Sequence, residues 1–190
     1  MCASDAVRLV ILDRDGVINY DSRDFVQSSD EWRALPGSLA AIAALSRNGY
    51  TVAIASNQSG LARGLFDRRD LRNMHRKLRR GVAAAGGRVD RIVVCPHGPD
   101  DGCDCRKPAP GLLRRLAAHY KTTLDHVPYI GDAGRDLEAA LAAGAQPILV
   151  RTGKGRQTEQ TLTAALATTP VFDDLAAFTD AWLARELPFQ

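Results

Sequence analysis

The 190-residue sequence has no apolar run approaching the ~18 residues that a membrane-spanning helix needs. It also has no basic region followed by an apolar stretch near Met1, so no secretory signal is visible. Neither sign of charge is in large excess, because the formal net charge is only +3, too small to indicate nucleic-acid binding by itself. We therefore expect a cytoplasmic protein with no membrane partner.

Repeats, low-complexity tracts and linkers are also lacking, and 190 residues suffice for one substantial core. We predict a single domain over residues 1–190. Cysteine is scarce, but three of the four cysteines lie between positions 95 and 105, beside His97. In a reducing compartment this clustering favours a metal site over a disulfide. Cys2 stands apart and is expected to be an uninvolved thiol.

Apolar, β-branched runs alternate with helical patterns along the chain. We predict strands near residues 7–12, 51–55, 91–94, 128–130 and 147–150. Asp67 is a candidate N-cap, and Pro110 lies near the first turn of another helix. This alternation predicts an α/β fold with a doubly wound parallel sheet, of the Rossmann-like type. The predicted helix faces are Leu39, Ile42 and Leu45; Leu71, Met74, Leu78 and Val82; Leu112, Leu113, Leu116, Ala117 and Tyr120; Leu137, Ala140 and Leu141; and Leu175, Phe178 and Trp182.

The first predicted strand leads directly into the acidic segment Asp13-Arg14-Asp15-Gly16-Val17. Carboxyl ends of strands in open α/β sheets are where ligands bind. Two carboxylates about 4 Å apart repel by roughly 4 kcal/mol at an effective dielectric of ~20. The pair therefore implies a cation, a proton or a chemical task. The structural alternative is a turn or a helix-capping acid.

Three further segments follow strand ends or lead into helices, and the parallel sheet would bring them to the same edge. They are Ser56-Asn57-Gln58-Ser59-Gly60, Arg106-Lys107-Pro108 and Gly131-Asp132-Ala133-Gly134-Arg135-Asp136. Taken singly, each is also typical of a turn, a helix start or a capping segment. Their order and their shared position at strand ends favour a functional site.

This set of side chains suits phosphoryl transfer. An ionised aspartate can attack phosphorus, and its close neighbour can carry a proton. Asp13, Asp15 and Asp132 supply the hard oxygen ligands that Mg²⁺ prefers. Lys107, Ser56 and backbone N–H groups can hold the phosphoryl oxygens.

The four motifs, in this chain order, resemble those of the haloacid dehalogenase-like phosphatases over residues 7–150. The resemblance implies that Asp13 forms an aspartyl-phosphate and that Asp15 is the general acid and then the base. It further implies that Ser56 and Lys107 stabilise the phosphoryl group. Mg²⁺ would be held by Asp13, Asp132 and the backbone carbonyl of Asp15. Asp136 is either a supporting acid of this site or an ordinary first-turn residue.

A second cluster has the pattern Cys-x-His-x5-Cys-x-Cys, formed by Cys95, His97, Cys103 and Cys105. Three thiolates and an imidazole suit a closed, structural Zn²⁺ site. Reduced cysteines in a loop rich in glycine and aspartate are the alternative. Zinc would order the loop of residues 95–105, which has too little apolar content to order itself by burial. It would thereby aim the residues that follow, Arg106 and Lys107.

The zinc loop narrows the resemblance to the D-glycero-D-manno-heptose 1,7-bisphosphate 7-phosphatase family, with histidinol-phosphate phosphatases as near relatives. The resemblance implies a Mg²⁺-dependent enzyme of carbohydrate metabolism and lipopolysaccharide biosynthesis that acts on a sugar phosphate. We expect a monomer with a minimal cap, in which a flap from residue 14 to about residue 32 and the zinc loop exclude water. The expected substrate-binding residues are Asp21, Ser22, Arg23, Asp24, Ser56, Asn57, Gln58, Ser59, Arg106 and Lys107.

Basic residues are concentrated in one predicted helix. They support a competing hypothesis, in which the protein is a nucleic-acid 3′-phosphatase or a zinc-bearing nucleic-acid-binding module. No aromatic residues are interleaved with these cations, as a single-strand stacking surface would require. We therefore favour a solvated helix face and no nucleic-acid partner. The residues are Arg68, Arg69, Arg72, Arg76, Lys77, Arg79 and Arg80.

Overall fold

The computed structural model describes residues 7–22 and 24–185. Six strands form one parallel sheet in the order β3-β2-β1-β4-β5-β6. This architecture confirms the predicted doubly wound sheet. The strands are β1 (Leu9–Leu12), β2 (Thr51–Asn57), β3 (Arg91–Cys95), β4 (Pro128–Gly131), β5 (Gln146–Val150) and β6 (Val171–Phe172).

Successive side chains of the central strands point to opposite faces of the sheet and so divide the core into two layers. In β1, Val10 and Leu12 pack into one hydrophobic cluster, whereas Leu9 and Ile11 pack into another on the opposite face. Both faces of the strand are covered, as expected for a parallel sheet. The continuous apolar run of β1 therefore reflects burial on both sides.

The described residues form six α-helices, of which five contribute to the hydrophobic clusters on the two faces of the sheet. Helices α1, α2 and α6 contribute to one hydrophobic cluster, and α3 and α4 contribute to the other. The Asp67 side chain accepts hydrogen bonds from two backbone N–H groups of the first turn of α2, so it is the N-cap that the sequence predicts. The helices are α1 (Ser38–Arg47), α2 (Arg68–Ala84), α3 (Gly111–Tyr120), α4 (Gly134–Ala143), α5 (Gly155–Gln160) and α6 (Leu175–Leu183).

The structure departs from the sequence prediction in several details. The prediction that Leu141 belongs to the buried face of α4 was wrong, since its side chain is 44% exposed. Position 141 follows Ala140 directly, and two adjacent residues of a helix point about 100° apart. The two-residue β6 and the six-residue α5 were not predicted, because both are too short to show a period.

In the described part of the chain, no helix has both the length and the apolar character needed to cross a membrane.

Candidate active site

The acidic segments converge at the carboxyl edge of the sheet, because β1 lies between β2 and β4. A cavity of about 700 Å³ opens there. This is the crevice position at which doubly wound sheets bind ligands. Its lining is Asp13, Arg14, Asp15, Asp21, Ser22, Phe25, Val26, Ser56, Asn57, Gln58, Ser59, Arg63, Arg106, Arg135, Gly153, Lys154, Arg156 and Gln157.

Lys107 is buried at the base of this site, between two carboxylates. Its Nζ lies 2.8 Å from Asp13 Oδ1 and 2.7 Å from Asp136 Oδ1. It also donates to the Tyr129 hydroxyl at 2.8 Å and to the carbonyl of Ala55 at 3.1 Å. Burial alone would lower the pKa of Lys107, but the two carboxylates raise it above its ordinary value. The lysine is therefore held as a cation.

Asp132 is the most poorly neutralised acid of the site. Its Oδ2 accepts a hydrogen bond from the Lys154 backbone N–H at 2.8 Å. Its Oδ1 is buried and has no hydrogen-bond partner among the described residues. Burial, with the nearby charges of Asp136 and Asp13, raises the pKa of Asp132 to about 8. Such a carboxylate needs a cation or a proton beside it.

Two glycines allow the backbone to approach Asp132 closely. Gly16 has a φ of +84° and Gly153 a φ of +57°, a left-handed conformation that favours glycine. A Cβ at either position would overlap with the Asp132 carboxylate. The loops after β1 and β5 are therefore pressed against this side chain.

The acidic cluster fits a hard divalent cation. Asp13, Asp132 and Asp136 each offer a carboxylate oxygen, and these atoms lie within 4.8 Å of one another. Burial raises the pKa of Asp13 to about 6, even though Lys107 acts to lower it. Three buried carboxylates thus face the paired Lys107 and, more distantly, Arg135. Negative charge remains, and a divalent cation would offset it. The orphaned Oδ1 of Asp132 supplies an open ligand position.

The Asp15 carboxylate is held outside this cluster by a network of donors. Arg14, which is 1% exposed, binds it through Nε at 3.1 Å and Nη2 at 2.9 Å. Asn19 Nδ2 donates to Oδ1 at 2.9 Å, and Gln58 Nε2 donates to Oδ2 at 2.9 Å. Burial acts to raise the pKa of Asp15, but Arg14 and these hydrogen bonds lower it below its ordinary value. This carboxylate is therefore ionised and oriented by protein contacts.

The side chain of Asn57 holds the backbone of Lys107 on both sides. Its Oδ1 accepts from the Lys107 N–H, and its Nδ2 donates to the Lys107 carbonyl, both at 3.1 Å. Arg106 Nη1 donates to the His97 carbonyl at 3.2 Å. The last residue of β2 and the loop after β3 are thereby joined to the segment that carries the lysine.

The four residues of the cysteine pattern form a compact cluster beside the sheet. Cys95 Sγ and Cys105 Sγ lie 3.7 and 3.6 Å from Cys103 Sγ. His97 Nδ1 lies 3.6 Å from Cys95 Sγ and 3.3 Å from Cys105 Sγ. A tetrahedral zinc with bonds of about 2.3 Å to sulfur has S···S edges of about 3.8 Å, whereas a disulfide would be about 2.05 Å long. The cluster therefore fits zinc and is not a disulfide.

The flap and loop residues predicted to bind substrate divide into two groups. Asp21 and Ser22 line the cavity, as do Arg106 and the four residues from Ser56 to Ser59. Asp24 is exposed and Lys107 is buried behind Asp13, and neither lines the cavity. Arg23 lies outside the described residues. The Asp21 carboxylate pairs with Lys154 Nζ at 2.9 Å, so the flap contacts the loop that follows β5.

Sequence reasoning missed several residues of this site. Arg14 and Asn19 were passed over beside the acids that they bind, and Tyr129 was counted only as a strand residue. The segment after β5, including α5, was missed as well, although Thr158 Oγ1 in α5 donates to the Asp132 carbonyl at 2.9 Å. One signal was available, because residues 151–158 follow the carboxyl end of a predicted parallel strand.

Together, the strand-end acids and the buried lysine define a haloacid dehalogenase-like hydrolase. A family model described as HAD-hydrolase-like matches residues 104–178. A crystal structure of D,D-heptose 1,7-bisphosphate phosphatase from Bordetella bronchiseptica, complexed with magnesium and phosphate, superposes with a TM-score of 0.91. It is 54% identical, covering 94% of this chain and 99% of that one. The corresponding enzyme from Burkholderia thailandensis has a TM-score of 0.73 at 43% identity, with 93% and 99% covered.

A curated relative narrows the assignment further. The D-glycero-beta-D-manno-heptose-1,7-bisphosphate 7-phosphatase of Pseudomonas putida is 57% identical over 182 residues, 95% of this chain and 99% of the relative. The chain belongs to the D-glycero-β-D-manno-heptose-1,7-bisphosphate 7-phosphatase family.

Proposed function

We propose that this protein hydrolyses the 7-phosphate of D-glycero-β-D-manno-heptose 1,7-bisphosphate, leaving the 1-phosphate. The observation that carries the proposal is the buried Lys107, bound to Asp13 at the base of a cavity on the carboxyl edge of the sheet. A lysine beside a nucleophilic carboxylate can neutralise a transferring phosphoryl group. The 57% identical relative named for this reaction supports the choice of substrate.

In this proposal Asp13 is the nucleophile and Asp15 moves the proton. Asp15, ionised in the free site, first takes up a proton from solvent, which the negative charge of a phosphate bound beside it favours. An oxygen of Asp13 forms a bond to phosphorus while the bond from phosphorus to the sugar oxygen breaks, and Asp15 gives its proton to that leaving oxygen. Asp15 then takes a proton from water, and the resulting hydroxide attacks the phosphorus. The bond between phosphorus and Asp13 breaks, releasing inorganic phosphate. Ser56 and Lys107 stabilise the phosphoryl oxygens in both steps.

Asp13, Asp132 and the backbone carbonyl of Asp15 are the residues that would hold Mg²⁺. When bound, this ion offsets the charge repulsion between the carboxylates and the phosphate. Asp136 binds Lys107 directly, and we assign it the role of orienting the lysine. Support for magnesium comes from the unpartnered Oδ1 of Asp132 and from the bound magnesium named for the Bordetella structure.

Cys95, His97, Cys103 and Cys105 would hold a structural Zn²⁺. All four ligands come from protein, which is typical of a structural site. The hydrogen bond from Arg106 to the His97 carbonyl ties the following residues to the loop. Zinc binding would thus keep Arg106 at the cavity wall and Lys107 against Asp13.

Cationic side chains on the cavity wall favour a substrate with a second anionic group. Lys107 is bound to Asp13 at the phosphoryl end, whereas these further cations line the cavity. A phosphate distant from the reacting one would be attracted to them. They are Arg63, Arg106, Arg135, Lys154 and Arg156.

The proposed setting is cytoplasmic carbohydrate metabolism, with the product used in lipopolysaccharide biosynthesis and the enzyme acting as a monomer. Reduced thiolates in the zinc cluster suit a reducing compartment. The exposed cations of α2, from Arg68 to Arg80, form its solvated face opposite the buried Leu71, Met74 and Leu78. We therefore assign no nucleic-acid partner.

The test is phosphate release, with and without Mg²⁺, from three substrates in parallel. These are the heptose bisphosphate, histidinol phosphate and an oligonucleotide with a 3′-phosphate. We expect the heptose bisphosphate to have the highest kcat/KM, with release exclusively of the 7-phosphate. Preference for histidinol phosphate or the oligonucleotide would overturn the substrate assignment, and no magnesium-dependent turnover at all would overturn the phosphatase assignment.

A further inference from the structure

Gln58 faces the cavity, but its amide is occupied by protein contacts. It is only 4% exposed. Its Oε1 accepts from Arg14 Nη2 at 3.2 Å, and its Nε2 donates to Asp15 Oδ2 at 2.9 Å and to Ser56 Oγ at 2.7 Å. Both amide hydrogens are used, so neither is free for a sugar hydroxyl.

The neighbours of Gln58 fix which way its amide points. A guanidinium can only donate and an ionised carboxylate can only accept. A flipped amide would place its oxygen against Asp15 and its NH₂ group against Arg14, with repulsion at both ends. The Nε2 atom must therefore face Asp15 and Ser56.

This orientation determines the direction of the Ser56 hydroxyl. Ser56 Oγ accepts the hydrogen bond from Gln58, so its own hydrogen must point elsewhere. Ser56 is 1% exposed and, among the described residues, its hydroxyl donates to no acceptor. It lines the cavity together with Asp13. A buried donor left without an acceptor is costly unless a ligand supplies one.

We infer that Gln58 is a positioning residue, which directs the Ser56 hydroxyl hydrogen toward the phosphoryl group at Asp13. It acts through Ser56 and does not bind the sugar. This inference rests on the proposed function, because the acceptor is the phosphoryl oxygen of that reaction. A preoriented donor requires no reorganisation when charge develops in the transition state.

The test is a double-mutant cycle with Gln58→Met and Ser56→Ala, measured on the heptose bisphosphate and on p-nitrophenyl phosphate. Methionine keeps much of the length of glutamine but has no hydrogen to donate. We expect Q58M to lower kcat about 10- to 100-fold on both substrates, with little change in KM. In the S56A background, adding Q58M should lower kcat by less than about twofold further, because the group through which Gln58 acts has been removed.

Gln58→Glu provides a second variant of the same shape. Its carboxylate would accept the hydrogen of the Ser56 hydroxyl and turn it away from the cavity, and it would also place an oxygen against Asp15. Q58E should therefore lower kcat at least as far as S56A does. Gln146→Met is the matched control, since Gln146 lies at the first residue of β5, at the opposite end of that strand from the cavity. Thermal unfolding midpoints of every variant show whether a loss reflects unfolding.

The possible results separate this inference from the proposed function. Additive losses in the cycle would mean that Gln58 acts through Asp15 or the fold, and would overturn the inference while leaving the phosphatase intact. A raised KM for the sugar alone, with p-nitrophenyl phosphate unaffected, would make Gln58 a sugar-binding residue and also overturn it. Turnover of p-nitrophenyl phosphate without turnover of the heptose would refute the substrate, and the cycle would still decide the role of Gln58. Turnover of neither by the unmodified protein would refute both.

Discussion

The acidic cluster and the cysteine cluster are built in contrasting ways. Cys95, His97, Cys103 and Cys105 lie within eleven residues, and their donor atoms complete a tetrahedron by themselves. Asp13 is separated by more than a hundred positions from Asp132, and the two meet only because β1 and β4 are neighbours. The local cluster is closed by protein atoms, whereas the assembled one retains an unpartnered oxygen. The open cluster is therefore where chemistry is expected, and the closed one is where stability is expected.

The largest effect should come from breaking the assembled cluster at its nucleophile. Asp13→Asn keeps the shape of the side chain but makes it too weak a nucleophile to attack phosphorus. We expect turnover to fall by about 10³-fold or more, with unchanged zinc content and a similar unfolding midpoint. Phosphate release, elemental analysis and thermal unfolding measure these three quantities. A variant that kept substantial activity would assign the nucleophile to another residue.

Displacing Asp132 should be the next most damaging change. Gly153→Ala places a methyl group against the Asp132 carboxylate, in a loop whose φ of +57° also disfavours alanine. We expect a loss of about 10- to 100-fold in kcat and weaker magnesium activation, because small displacements of reacting groups are costly. Magnesium titration of the activity measures this, with Gly64→Ala as the control. Gly64 also has a positive φ, but a Cβ there meets nothing within 4 Å. Equal losses in the two variants would attribute the effect to backbone strain.

Removing one ligand of the cysteine cluster should affect zinc content and stability more than activity, the opposite of the change at Asp13. Cys103→Ser is expected to lose about one zinc per chain and to lower the unfolding midpoint, because the loop has little apolar surface to order it. Activity should fall about tenfold through the displacement of Arg106 and Lys107. Elemental analysis, thermal unfolding and kinetics follow the three quantities. Full activity in a zinc-free protein would separate the loop from catalysis.

The smallest expected effect is on stability in acid, and it comes from His75, a residue outside both clusters. Burial, together with the charge of Arg14, lowers the pKa of His75 to about 4 from its ordinary 6.5. As pH falls below 6.5 the unfolded chain takes up a proton that the folded protein resists, so stability is lost progressively down to about pH 4. This linkage amounts to about 2 kcal/mol at pH 5. It is absent at pH 8, where both states are neutral.

His75→Gln should remove that part of the acid sensitivity. The difference in urea midpoint between the variant and the unmodified protein should shift in favour of the variant as pH falls from 8 to 5. Loss of metal from the cysteine cluster in acid would affect both proteins equally and would cancel in this comparison. A difference that does not change with pH would show that His75 titrates normally in the folded state.

The sequence was sufficient for the parts of the molecule governed by local rules. Doubly buried strands such as β1 are continuous apolar runs, and Asp67 caps α2 as its position predicts. The spacing of the cysteine pattern identified all four members of the closed cluster. The sequence did not show which of two adjacent apolar residues at the edge of a helix face is buried, since Ala140 is buried whereas Leu141 is 44% exposed. There, tertiary packing outweighed hydrophobicity.

Their positions after strands or before helices predict that Asp13, Asp15, Lys107 and Asp132 share one edge of the sheet. The order of the strands then decides which of their atoms meet. Only the tertiary structure could show Lys107 bound between Asp13 and Asp136, or the Asp15 carboxylate held apart by Arg14. It also placed the loop after β5 against Asp132. Patterns along a chain encode which groups share an edge, but hydrogen bonds and charge pairs depend on distances of a few ångströms that packing alone determines.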